Sequence, residues 1–574
     1  MESSQDEQSS EPAVTLHVTA GAARSHTGTL TRSSTATLPS VARTGRELAP
    51  SDYTKSVVTH AGRDKGRYLS PGTNYFLLSD FLSRPKPRNP LTSVTPSSIP
   101  GSQVALPFAV LHCLGYGPRD PKRLATFFKP EDLYEFEAHS DPEGPGQDHG
   151  DVLFLRGYPS PEWVSVVGAK YRLDPEIFRR HLKLPNSKDY FELPGLPSSD
   201  CTLELRIPSI GEVTSGTSKP SDAARRLRLY WQSLGAGGRA GESIVRRFHR
   251  HGTQYFSIEQ RMTISVRRRP SASRGSWISI VMLDNGLDLE DCPPGPWFTA
   301  LEHIHDIFNP VIQTTPDAAL RSPNHDGVEV RPSASPSPRS RTHQTGALLG
   351  LKPLGPRLKL ASMNKWPLYA VHDLLVFAAS AEQQFLNFIA TQLNIDYNPF
   401  FDKDWMENAL GTYSYHQDIL QDHADYLAKV CQQLSINDHD ALWIQVAGDQ
   451  DPAPLGDMDR AVRETCEAVR RDWEHLACQV QGLLQLVRDK KDNVNHDQAA
   501  VEAKRTYEQS LSAAKLTFLA FLFLPWSLCT AVFGMNVQQL GTDGVDIVYV
   551  FAFGIPLFVL SLLGAYWVVG RLPW

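Results

Sequence analysis

The sequence predicts an α/β cytosolic domain, then a long helical stalk, then a C-terminal hairpin of two transmembrane helices. Three observations carry this. Two long uncharged apolar runs close the chain. A stretch almost free of helix breakers leads into them. Further upstream, short apolar runs and alternating apolar residues mark strands interleaved with helices.

The apolar runs are Leu516–Phe533, 18 residues, and Ile547–Val569, 23 residues, both without charge. A bilayer core is crossed by about 20 apolar residues in helical form. The competing reading, a hairpin buried in a soluble core, is disfavoured because two such runs end to end would leave an apolar face exposed. The short link Val537–Asp546 makes the two helices antiparallel, with both outer ends on one side. The link carries Asp543 and Asp546 and no Lys or Arg. Lys504, Arg505, Lys515 and Arg571 flank the other side, which the positive-inside rule assigns to the cytosol. Both termini are therefore expected in the cytosol. Pro525 and Pro556 sit inside the spans, where neighbouring helices support a kink. The N-terminus has no apolar signal core, and its early acids (Glu2, Asp6, Glu7, Glu11) fit a mitochondrial presequence badly. The plasma membrane is favoured over the mitochondrial inner membrane.

Residues 347–515 read as a cytosolic helical region ending in the stalk. Val371, Leu374, Ala378, Ala381, Phe385 and Phe388 recur at helical spacing, as do Leu476, Val480, Leu483 and Val487. Asp457 to Lys515 forms one or two long, coiled-coil-like helices, and if there are two, the polar stretch Asp489–Gln498 is where the break falls. Residues 101–312 read as the α/β domain. Val152–Leu155 is a buried strand, and Asp174-Pro175 starts a helix over Glu176–Leu182. Phe256, Ile258, Met262, Ile264 and Val266 alternate along a strand expected to bury one face. Trp277–Leu283 is another strand, stopped by Asp284-Asn285-Gly286. Residues 1–100 form a Ser/Thr/Pro-rich tail expected to be mostly disordered, with Tyr68–Leu82 as an ordered exception, and 313–346 is a second such segment. Residues 516–574 complete the chain as the membrane hairpin.

A formal charge of −6 and the lack of a basic, aromatic-interleaved stripe argue against nucleic acid as a partner. Seven scattered cysteines without CxxC spacing suit a reduced compartment. No nucleophile elbow, phosphate loop or dinucleotide fingerprint is present, so an enzyme is not expected. His303 and His305, and His416 and His423, have no nearby acid or Cys at ligand spacing, and read as ordinary histidines. Arg267-Arg268-Arg269-Pro270-Ser271 has the form of a basic-directed phosphorylation site in a loop.

Phe523-Leu524-Pro525-Trp526-Ser527, followed by Phe533-Gly534-Met535-Asn536, resembles the CorA family of magnesium channels. An apolar helix with a mid-span Pro and a hydroxyl residue two positions on, ending in an aromatic and Gly-Met-Asn, is that family's pattern. Phe154-Leu155-Arg156-Gly157-Tyr158-Pro159 through His181, Tyr255–Gln260 and Leu283–Gly286 resemble the cytosolic domain of its large fungal branch. The resemblance implies a homopentamer in the lipid bilayer, passing magnesium or related divalent cations as hydrated ions. It implies no cofactor, with magnesium as the transported ion and a candidate regulatory one. Gly534, Met535 and Asn536 would form the selectivity filter, with Asn536 offering an amide oxygen to the ion's water shell, because magnesium sheds that shell reluctantly.

Counted back from Asn536, Ser527, Leu524, Ala520, Leu516, Ala513, Ser510 and Thr506 follow at steps of three, four or nine, and the first four are the expected pore lining. No metal site is assigned; Asp472 and Glu474 are candidates equally well read as solvated charges. The sequence departs from the family in placing Gln538 and Gln539, rather than an acid, soon after Gly-Met-Asn. The alternative function is a membrane-tethered scaffold or sensor that keeps the fold and conducts little.

Overall fold

The computed structural model describes residues 48–63, 71–84, 106–114, 122–136, 150–183, 201–212, 220–252, 254–268, 277–289, 292–297, 307–308, 311, 346, 349–351, 354–355, 358–394, 403–435, 460–534 and 547–569. The chain divides into Met1–Arg46 and Glu47–Trp574, and every described residue lies in the second unit.

In chain order the elements are α1 (Pro50–Ala61), α2 (Phe76–Leu82), β1 (Ala109–Leu114), β2 (Lys122–Phe127), α3 (Pro130–Glu135), β3 (Gly150–Arg156), α4 (Pro161–Tyr171), α5 (Pro175–Leu182), β4 (Cys201–Glu212), α6 (Pro220–Gly237), β5 (Arg247–His251), β6 (Tyr255–Arg268), β7 (Trp277–Leu283) and β8 (Ile307–Phe308). The helical half follows as α7 (Leu360–Lys365), α8 (Pro367–Ala370), α9 (His372–Leu393), α10 (Lys403–Leu434), α11 (Arg460–Gly534) and α12 (Ile547–Val569).

The strands form one eight-stranded sheet in the order β2-β1-β3-β7-β6-β4-β8, with β5 paired to β6. The central pair β3–β7 is parallel, while the neighbouring pairs are antiparallel. β3 and β7 are buried along their whole lengths, as a central strand covered on both faces must be. Val152, Phe154, Val281 and Leu283 face a core shared with the helices from α7 to α11. Leu153, Leu155, Ile280 and Met282 face a second core under α1, α2, α4, α5 and α6. The sheet is the middle layer of three.

The local signals explain the outer helices. Ser160 caps α4 by accepting from the Trp163 N–H, and Asp174 caps α5 by accepting from the Glu176 N–H at 2.9 Å. Pro161 and Pro175 occupy the first helical positions, where their missing N–H costs nothing. The Asp284-Asn285-Gly286 stop also has a physical basis. The Asp284 carboxylate accepts from the Arg261 N–H at 2.6 Å and from Arg246 at 2.7 Å. A Cβ on Gly286 would lie 2.0 Å from the Gly241 carbonyl oxygen, so only glycine fits that turn.

Two expectations change, and one open alternative is decided. β6 is buried on both faces, because Ser257, Glu259, Thr263 and Ser265 are covered as fully as the apolar residues between them. α11 is a single helix of 75 residues with no break across Asp489–Gln498. That stretch lacks Pro and Gly, and Val494, one heptad after Val487, extends the apolar seam and is 1 % exposed. Finally, the ordered domain begins before residue 101. α1 packs on α4, burying Tyr53 and Val57, with the Tyr53 ring against Gly168. The remainder of the N-terminal segment, most of 313–346 and Ser271 lie outside the described residues.

α10 and the first half of α11 pack together over the sheet, with Trp473 fully buried against Tyr426 at a ring separation of 6.3 Å. Trp473→Ala is expected to cost about 3–5 kcal/mol through the cavity it leaves. A thermal scan of the detergent-solubilised protein should show the fall; an unchanged midpoint would mean that this helix pair does not contribute to the fold as described.

Candidate pore helix and a buried charge network

Among the described residues, α11 is the helix long and apolar enough to cross a membrane by length and composition, and α12 contributes the apolar run Phe551–Gly564. In the single chain the lower part of α11 is uncovered. Leu516 is 69 % exposed, Leu524 61 % and Tyr507 66 %. At 3.6 residues per turn, Leu516, Ala520, Leu524 and Ser527 fall within an arc of about 80°. All four are exposed. α12 covers a different side of α11: Pro525 is buried, Trp526 meets Phe551 at 6.1 Å and Phe558 at 6.5 Å, and Gly554 lies against the Trp526 ring.

The helical part of the expected face is therefore a coherent stripe that α12 leaves open. Its extension to Asn536 is not. A step of nine residues turns an α-helix by about 180°, so the count from Ser527 does not keep one face. α11 is described to Gly534, and Met535 and Asn536 lie outside the described residues. Beside Pro525, Thr530 Oγ1 donates to the Trp526 and Ser527 carbonyls at 3.0 Å, and Ser527 Oγ to the Leu524 carbonyl at 3.0 Å.

The structure assembles a second constellation. Across β4, β5, β6, α9 and α10 it gathers Arg206, Arg247, His249, His251, Glu259, Glu382, His416, Asp422 and His423. His423, fully buried, lies between two acids: its Nδ1 is 2.5 Å from Glu382 and its Nε2 is 3.3 Å from Glu259. Asp422 pairs with Arg206 and with Arg247, whose Nη2 is 2.9 Å away. Burial alone would depress the His423 imidazole, but the Glu382 charge and the hydrogen bonds to Glu259 and Glu382 outweigh it and lift the pKa to about 10. Burial pushes Glu259 the other way, yet His249, His423 and Arg206 hold its carboxyl well below the usual range. Arg247 and Arg206 likewise overcome burial and hold Asp422 low. Three carboxylates thus face three cations, and the network is neutral with His423 charged.

Beside it, His251 and His416 stack with rings 10° apart and with Nδ1 and Nε2 at 3.2 Å. Burial, then the neighbouring histidines, push His251 down to about 2, and burial pushes His416 to about 4.

Sequence reasoning missed this cluster because the acids for His416 and His423 come from elsewhere in the chain. Glu259 was hidden in the polar half of an alternating strand, and Glu382 in the helical seam of α9. Asp472 and Glu474 lie on the exposed side of α11, with Glu474 paired to Arg470 at 3.2 Å. His303 and His305 lie outside the described residues.

Comparison with known proteins bears on α11 and α12. Residues 455–571 match the family model described as CorA-like Mg2+ transporter protein. That segment of the chain, residues 455–571, is CorA-like. No curated protein matches the chain. Among solved structures, the full-length CmaX protein is similar at 13 % identity and a TM-score of 0.34, over 82 % of this chain and 100 % of that one, a likeness too slight to carry an argument.

The histidine pair sets a pH dependence with a definite sign. His251 and His416 are held neutral in the fold but take protons once unfolded, so their contribution is intact above about pH 6.5 and is lost as pH falls, down to about 4 for His416 and about 2 for His251. His423 works in reverse. Its contribution is full below about 6.5 and is lost as pH rises through about 10. Chemical denaturation at stepped pH should show a falling stability from 6.5 to 4, with a shallower slope in His416→Asn. An identical slope in that variant would mean that His416 is not held neutral.

Proposed function

We propose that the protein is a channel for magnesium or related divalent cations, passed as hydrated ions through a pore made by five copies of the chain. The observation that carries the reading is α11 itself. One helix runs from the core shared with the sheet into an apolar segment that belongs to the CorA-like region, and its Leu516–Ser527 stripe lies on a side that α12 leaves open. An apolar surface of that extent requires cover, from lipid on one side and from sister helices on the other.

In this reading the stripe faces the axis. Leu516 and Leu524 make apolar constrictions that gate by dewetting, Ser527 adds a ring of hydroxyls, and Ala520 leaves room between them. Gly534, Met535 and Asn536 form the outer filter: Gly534 permits the turn, Met535 packs behind it, and Asn536 presents an amide oxygen to the ion's waters. Neutral acceptors suit an ion that is expensive to dehydrate. The two spans form a hairpin with both termini in the cytosol, and the plasma membrane is the proposed location.

Asn536→Ala is expected to lower magnesium uptake roughly tenfold or more, equivalent to losing about 1.4 kcal/mol of ion stabilisation. Uptake would be measured in a magnesium-transport-deficient cell, with assembly checked by size-exclusion chromatography. Unchanged uptake and selectivity in an assembled variant would remove Asn536 from the filter.

Leu524→Asn tests the stripe. Wetting that ring lowers the barrier, so the expected outcome is raised conductance at high internal magnesium with normal assembly. Reduced assembly with no gain of conductance would place Leu524 in a helix contact and turn the pore face by about 100°.

A further inference from the structure

We propose that Cys431 on α10 and Cys478 on α11 are a redox pair, joined as a disulfide by a hydroperoxide and parted again by a dithiol. The pairing does not depend on the pore reading. Both residues are free thiols in the structure, Cys478 exposed and Cys431 half-buried.

The register of the two helices brings them together. Lys491 Nζ donates to Gln417 Oε1 at 2.9 Å, while Tyr426, further along α10, meets Trp473, earlier in α11. The helices therefore run antiparallel. A heptad is close to two helical turns, so residues seven apart stay on one face. From Gln417 that face of α10 continues through Ala424 to Cys431. From Lys491 the facing side of α11 runs back through Leu484 to Ala477. Ala424 and Leu484 are buried, and Cys431 and Ala477 both pack against the shared core. Cys431 is thus set against Ala477, and Cys478 is the next residue. The small side chains of Ala424 and Ala477 let the helix axes approach the short end of the usual range, about 8 Å.

Electrostatics at the thiol agree with this register. Burial pushes the Cys431 thiol up, and after burial the charges of Glu474 and Cys478 push it further. Glu474 and Cys478 are four apart on one face of α11, so Cys431 lies beside the groove they share with Ala477. A disulfide holds its Cα atoms about 4.4–6.8 Å apart, so closing the bond tightens this contact.

The chemistry divides between the two residues. Cys478, open to solvent, meets the peroxide first. Its thiolate attacks one oxygen. An S–O bond forms, the O–O bond breaks, and the second oxygen leaves as water, giving a sulfenic acid. Cys431, kept as a thiol by burial, then attacks Cys478 Sγ. The S–S bond forms, the S–O bond breaks, and the hydroxyl leaves with the Cys431 proton as a second water. Two thiols are oxidised and one peroxide is reduced. The product locks α10, which carries Asp422 and His423 of the charge network, to the half of α11 that is buried over the sheet.

The experiment uses the full chain in detergent, reduced, freed of reductant and exposed to graded hydrogen peroxide. Remaining thiols are blocked in denaturant and the digest is mapped by mass spectrometry. The expected result is loss of two of the seven thiols, recovered as one linked Cys431–Cys478 peptide pair that dithiothreitol separates. The thermal midpoint should rise by about 5 °C or more on oxidation and return on reduction. Cys431→Ser should leave a sulfenic acid at Cys478 that dimedone captures, and Cys478→Ser should abolish both link and capture. The wild-type peptide map decides without any variant. Seven intact thiols in the folded wild type after peroxide overturn the proposal. So does a Cys478–Cys478 link between chains in place of the internal one, or sulfinic acid at Cys478 with Cys431 untouched.

Discussion

The backbone ladder of α11 is the constraint on which the rest depends. At about 1.5 Å per residue, 75 helical residues make a rod roughly 110 Å long. Isolated, such a rod would depend on local propensity; here its two halves are held by different means. Val462, Cys466, Val469, Trp473, Leu476, Val480, Leu484, Val487 and Val494 are buried in the core shared with the sheet. Beyond Val494 the helix leaves that core, and among the described residues all but Asp497, Gln498 and Leu511 are exposed until α12 meets it near Pro525. A displacement of the sheet-and-helix core is therefore transmitted along one continuous element, with no loop between core and apolar segment to absorb it.

The charge network is the second organising feature, and it sits where β6 meets α9 and α10. Glu259, Glu382 and His423 are buried, and burying them is tolerated only because each has an opposite-sign partner within the network. The arrangement fixes how the helices dock on the sheet: Arg206 also lies 4.7 Å over the Tyr426 ring, and the Tyr426 hydroxyl accepts from the Arg206 N–H at 2.8 Å. Apolar contacts alone would permit sliding of α10 along the sheet. A set of paired charges does not, since any shift strands a carboxylate in a low-dielectric interior.

Much of this was legible in the sequence, for reasons specific to each part. The strands at Val152–Leu155 and Trp277–Leu283 are short apolar runs bounded by turn residues, and α5 has its cap and proline adjacent. The apolar C-terminal runs are set by length and charge alone, and the Gly-Met-Asn motif is read directly. Three things were not legible. Sheet order was not, because β3 pairs with β7 across more than a hundred intervening residues. The buried polar face of β6 was not, because alternation says which residues differ, not whether both faces are covered. The histidine–carboxylate cluster was not, because its members come from five elements and have no spacing in common. Leu516, Ala520, Leu524 and Ser527 share a face by helical count; Asn536 does not follow from that count, and its role rests on the motif.

The parallel pairing of β3 with β7 also orders events during synthesis. The centre of the sheet cannot close until Leu283 has been made, and one of its two cores is incomplete until Val494. The first apolar run starts at Leu516, only 22 residues (516 − 494) after that last core residue. At roughly 5–20 residues per second this interval is about one to four seconds. Completion of the soluble fold and delivery of the apolar segment to the bilayer therefore overlap in time, on the same helix. A long-range sheet is slow to pair, so a nascent chain held at the membrane before α11 has docked would expose one face of its sheet while already anchored.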